Sequence, residues 1–128
     1  MARAASADQL MRRLLWASVP LNAAAALAFT FPASLGRIAD LPLPVPPLYG
    51  ALIGFFVLLF GGTYAWLALQ PAIDRPMVAL AAIGKAGVFA LVLALWLAGA
   101  ASGLFALLMT ADLVLAALFA RWLLSSRE

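Results

Sequence analysis

Apolar residues run along the chain in four long blocks, Leu14 to Phe31, Leu48 to Gln70, Met77 to Ala98 and Leu104 to Leu124, separated by short polar or proline-rich stretches. Each block is roughly 20 residues long, the length a helix needs to cross a hydrocarbon core of about 30 Å. The pattern predicts four membrane-spanning helices. Pro20 lies inside the first block, where it removes one backbone hydrogen bond, frees the Trp16 carbonyl and predicts a kink.

The connections are short. Residues 32–47 read PASLGRIADLPLPVPP, whose prolines from Pro42 onward predict an extended path over the membrane surface. Residues 71–76 (PAIDRP) and 99–103 (GAASG) leave room for little more than a reversal. Each helix is therefore expected to lie antiparallel beside the next, as an all-α, four-helix membrane bundle forming one domain over residues 1–128.

Basic residues orient the bundle. Arg3, Arg12, Arg13, Arg75, Arg121 and Arg127 fall on one side and Arg37 on the other, so both termini and the 71–76 turn are expected in the cytoplasm. Trp16 and Trp122 then mark the cytoplasmic interface, and Tyr49 and Trp96 the outer one. The alanine-rich helices and short loops suit a bacterial inner membrane. Arg12 and Arg13, the apolar run after them and Ala26-Leu27-Ala28 also fit a cleaved signal peptide, an alternative that leaves the other three helices in place.

Composition narrows the chemistry. Hydrophobic residues make up 67% of the chain and charged ones 10%, against about 45–50% and 25% in soluble domains. With no cysteine and no histidine, the chain lacks the usual ligands of zinc, haem and iron–sulfur clusters, and it cannot build a Ser-His-Asp triad. No metal, no cofactor carried by the chain itself and no catalytic residue are expected. The net charge of +3 is scattered, which points away from nucleic acid and toward a bilayer as partner.

Ionisable residues inside a spanning helix are costly and mark candidate sites. Lys85 lies ten positions after Arg75, and Asp112 nine before Arg121. Both fall roughly 14 Å inward of the arginine boundary at 1.5 Å per residue. Asn22, nine positions after Arg13, and Tyr64, eleven before Arg75, reach the same depth. One polar side chain from each helix is thus expected in one layer, as a ligand-binding or proton-relay group. Phe60, Phe89, Trp96, Phe105 and Met109 are candidate apolar walls. Such a site suits a lipid-soluble molecule with one polar end, such as a quinone or a lipid. Alternatively, Lys85 and Asp112 form an ion pair that only fixes helix register, or Lys85 snorkels to the headgroups. A dimeric proton-coupled carrier is a third reading. Small multidrug exporters share this length and helix number, but they place an acid in the first helix where this chain has Asn22.

The segments FPASLGRIADLP at the end of the first block, FGGTY in the second, AIGKAG in the third and ADLVLAALFARWL in the fourth carry a further resemblance. The layout resembles the DoxX-like group of small four-helix bacterial membrane proteins over most of the chain. Some members of that group are similar to subunits of quinone-linked sulfur-compound oxidation. The resemblance implies a quinone-linked role or an accessory place in a membrane complex, and it assigns no site residue.

Overall fold

A computed structural model describes residues 1–125. Four long helices, α1 (Ala2–Thr30), α2 (Pro47–Leu69), α3 (Arg75–Leu97) and α4 (Gly103–Ser125), account for most of the chain. Among the described residues there is no strand. Arg127 of the charge count lies outside the described residues.

Helices α2, α3 and α4 begin and end within two residues of the apolar blocks. Their boundaries have local causes. Pro47 opens α2 at a first-turn position, where a missing N–H costs nothing. Asp74 caps α3, its carboxylate accepting from the Met77 N–H at 3.1 Å. The Ser102 hydroxyl accepts from the Phe105 N–H at 3.1 Å at the start of α4 and donates to the Asp40 carbonyl at 3.2 Å, tying the outer loop to that helix.

Two expectations are corrected. Helix α1 starts at Ala2, twelve positions before the apolar block. The segment ARAASADQLMRR consists mostly of good helix formers, and it is held in place because Asp8 accepts from the Trp122 indole N–H at 3.0 Å. The helix continues through Pro20. The 32–47 connection is not extended throughout, because Leu35–Ala39 forms a 3-10 helix that Asp40 ends in the left-handed conformation. The prolines responsible for the extended prediction all follow that turn.

Packing is pairwise. Helix α1 runs along α2 and α3 along α4, with α1 also touching α4. Small residues bring the first pair together. A Cβ added at Gly50 would stand 2.6 Å from the Phe29 carbonyl oxygen, and one at Gly61 3.1 Å from the Asn22 Cβ. Gly54 is equally closed by Thr30 and Ala26. The GxxxG spacing of Gly50 and Gly54 thus serves contact within the chain. Helices α2 and α3, although joined by a five-residue turn, make no close backbone approach. The Tyr64 ring and the Lys85 side chain lie between them.

Buried residues from all four helices meet in one cluster toward the 71–76 turn, with Met11, Leu15, Tyr64, Val78, Leu115 and Phe119 at its centre. A smaller cluster at the opposite end joins Leu41, Val92, Phe105 and Ala106. Two arginines fasten the first end. Arg12 donates to the carbonyls of Ala68, Gln70 and Pro71 at 2.8, 2.6 and 2.9 Å, groups that the end of α2 leaves unpaired. Arg75 donates to the Leu123 carbonyl and stacks over the Trp122 ring at 5.4 Å. Large apolar side chains remain exposed all along the helices, including Leu52, Phe55, Phe56 and Leu59 on α2, Ile83 and Leu91 on α3, and Leu107 and Val114 on α4. Helices α2, α3 and α4 are each long and apolar enough to cross a membrane. An apolar surface this extensive is what a bilayer covers and water does not.

Candidate functional site

Lys85 projects from the middle of α3 into the space shared by three helices. Its neighbours one turn back, Ala81 and Ala82, are buried and small. This leaves a passage for the lysine stem. The Lys85 Nζ donates to Asp112 Oδ1 on α4 at 2.8 Å, and the same pair is the salt bridge of the helix interior. The ammonium also lies 4.9 Å from the centre of the Tyr64 ring on α2, within cation–π range. Tyr64 in turn meets Phe119 edge-on, with ring centres 6.3 Å apart. Lysine, aspartate and tyrosine therefore form one cluster drawn from α2, α3 and α4.

The two ions are not equally covered. Lys85 is 4% exposed and Asp112 22%. Among the described residues, Asp112 Oδ2 has no hydrogen-bond donor and the Tyr64 hydroxyl makes no hydrogen bond; no fully enclosed side-chain oxygen or nitrogen lacks a partner, so neither atom is completely sealed off. The ammonium has one carboxylate oxygen and a ring face as its partners, while the second carboxylate oxygen has none among the described residues.

Asn22 stands apart from this cluster. Its Nδ2 donates to the Val57 carbonyl of α2 at 3.0 Å, and its Cβ abuts Gly61. It shares the depth of Lys85 but belongs to the α1–α2 contact. The five candidate wall residues are placed variously. Phe105 and Met109 belong to the cluster at the far end, where Phe105 packs edge-on against Phe29 at 6.2 Å. Phe60 and Trp96 are exposed, and Phe89 is half-buried. Depth along the helix is readable from the sequence, but the rotation of each helix about its axis is not. That rotation separates Asn22 from Tyr64.

No family model, no curated protein and no solved structure matches the chain. The site is therefore read from its own chemistry. Among the described residues no three acidic side chains come together as metal ligands. Two shallow, open hollows lie at the ends of the helices. One of about 430 Å³ lies between Asp40–Leu43 and Gly99–Ser102. The other, of about 220 Å³, lies between α1 and α4 at Leu10, Leu14, Leu118 and Arg121. Neither is lined by Lys85, Tyr64 or Asp112.

Sequence reasoning missed three connections: Arg12 to the end of α2, Arg75 to the end of α4, and Asp8 to Trp122. For Arg12 a signal existed. Proline at position 71 ends α2 and leaves its last carbonyls seeking donors, and the paired arginines at 12 and 13 sit at the matching depth.

Proposed function

We propose that the chain is an integral membrane protein crossing the bilayer four times as an antiparallel bundle, and that Lys85, Asp112 and Tyr64 hold the polar end of a lipid-soluble molecule. The fourth span is α1. From Arg12, bonded to the last carbonyls of α2, to Phe29, against Gly50 near its start, α1 keeps pace with α2. That stretch measures roughly 26 Å at 1.5 Å per residue, close to the hydrocarbon thickness. The polar residues Ser18 and Asn22 within it bond to the Leu14 and Val57 carbonyls. Cytoplasmic termini, a bacterial inner membrane and kinship with the DoxX-like group belong to the same reading.

The observation that carries the binding role is that Asp112 Oδ2 and the Tyr64 hydroxyl, on the two side chains that meet the Lys85 ammonium, have no hydrogen-bond partner among the described residues. An accepting carboxylate oxygen and a free phenol at mid-bilayer depth are costly unless something polar meets them. A quinol or another hydroxyl-bearing lipid donates to the carboxylate, and a quinone or carbonyl oxygen accepts from the phenol. The test is to purify the protein in mild detergent, extract it with organic solvent and identify co-purifying lipids by mass spectrometry. A hydroxyl- or carbonyl-bearing lipid retained by the parent protein and lost in Asp112→Asn and Tyr64→Phe supports the reading. The same lipid profile in all three proteins overturns it.

A second reading has an observation of its own. Both hollows avoid the Lys85–Asp112 pair, which favours a pair that fixes the register of α3 against α4 in a structural or assembly protein.

A further inference from the structure

The hollow between α1 and α4 lies at the arginine-rich end of the helices. Its walls are Ala7, Leu10, Met11 and Leu14 from α1 and Leu118, Arg121, Trp122 and Ser125 from α4. The polar groups among these are accounted for with one exception. The Trp122 indole donates to Asp8 at 3.0 Å, and the Ser125 hydroxyl donates to the Trp122 carbonyl at 3.2 Å. Asp8, the acid next to Ala7, accepts from that indole through one carboxylate oxygen. Arg12 is committed to the end of α2. Arg121 is exposed and, among the described residues, has no hydrogen-bond or ion-pair partner.

We propose that this hollow seats one anionic phospholipid, its phosphate on Arg121 and the upper part of one acyl chain between Leu14 and Leu118. The proposal rests on the four-span reading, because only a spanning α1 places the hollow at a membrane interface. The volume, about 220 Å³, is below the 300–1,000 Å³ of a typical small-molecule pocket. It admits a stretch of hydrocarbon rather than a whole ligand. Leucines on the membrane side and arginine at the boundary reproduce the order of chain and headgroup in a lipid. Basic pockets between spanning helices bind acidic headgroups in this way. Apolar walls distinguish the seat from a site for free phosphate, and the single cation selects an anionic lipid over a zwitterionic one. The partner is thus a lipid such as phosphatidylglycerol, held at a place on the protein separate from the Lys85 cluster.

Native mass spectrometry of the full chain in detergent, titrated with phosphatidylglycerol, phosphatidylcholine or glycerol phosphate, tests this directly. One phosphatidylglycerol per chain is expected, bound about fivefold more weakly by Arg121→Gln, the effect of one basic residue at the membrane surface. Arg121→Lys restores most of the affinity, and Arg13→Gln leaves it unchanged. Ala7→Leu fills the hollow without touching the charge, and it also weakens binding. Equal binding of phosphatidylcholine, or of phosphatidylglycerol by Arg121→Gln, overturns the proposal. So does glycerol phosphate binding as well as the intact lipid, or indifference to Ala7→Leu, since either leaves only an anion site. Failure of the chain to insert into membranes would refute the four-span reading itself. Indifferent lipid binding by inserted protein refutes the seat alone.

Discussion

The Lys85–Asp112 pair makes a quantitative prediction about stability. At an Nζ–Oδ1 distance of 2.8 Å, Coulomb attraction amounts to about 6 kcal/mol at an effective dielectric of 20. Desolvation of two ions offsets most of it, so the intact pair contributes little net stability. Removing one partner is different, because the survivor keeps its desolvation cost, typically about 3–5 kcal/mol. The unequal cover of the two ions sets an order. Asp112→Leu strands the deeply buried Lys85 and is expected to cost about 4 kcal/mol. Lys85→Met strands a carboxylate that already reaches open space, and about 2–3 kcal/mol is expected, including the lost contact with the Tyr64 ring. The double variant Lys85→Met with Asp112→Leu replaces both ions by apolar groups and should return to within about 1 kcal/mol of the parent. Unfolding in mixed detergent micelles, followed by the fluorescence of Trp16, Trp66, Trp96 and Trp122, gives all three values and closes a double-mutant cycle. A double variant as unstable as the sum of the singles refutes the coupling. The cycle also separates the two functional readings, because a stable double variant that has lost its co-purifying lipid has lost a site rather than a fold.

Other outcomes follow from single contacts. Gly50→Ala places a methyl 2.6 Å from the Phe29 carbonyl oxygen and should destabilise by roughly 1–3 kcal/mol in the same unfolding assay, whereas Gly62→Ala and Gly84→Ala, which meet nothing within 4 Å, should be neutral or gain up to about 1 kcal/mol. Arg12→Met leaves three carbonyls without their donor and should cost about 2–3 kcal/mol; Arg12→Lys should recover only part, since an ammonium lacks the planar fork that spans those carbonyls. Because the chain has no cysteine, single variants report topology cleanly: an impermeant thiol reagent applied to intact cells should label Ser34→Cys and spare Ser6→Cys, and the reverse pattern would invert the orientation.

What the sequence reveals depends on how far each property is local. Helix existence and length are local, since roughly 20 apolar residues between prolines and small polar residues define α2, α3 and α4 to within two positions. The start of α1 is not, because Ala2 to Arg13 is polar enough for a loop and becomes a docked helix through Asp8 and Trp122, which stand 114 positions apart. Depth in the membrane is also nearly local, because the rise per residue is fixed. Rotation about the helix axis is set by neighbours. Lys85, Tyr64 and Asp112 meet because α2, α3 and α4 all turn these side chains inward, while the glycine face of α2 draws Asn22 toward Val57.

That division bears on how the proposed site would work. The small residues of α2 are spent on α1, at Gly50, Gly54 and Gly61, so no comparably close backbone contact forms between α2 and α3. The space between those two helices is bridged instead by an ammonium lying on the Tyr64 ring. The contact that bridges the two helix pairs there is worth about 0.5–2 kcal/mol, less than a packed glycine seam. A ligand that draws the carboxylate away from Lys85 loosens the same bridge. On the proposed binding reading, occupancy and the spacing of α2 from α3 are coupled through a single side chain, Tyr64. Replacing it with leucine would preserve bulk while breaking that link.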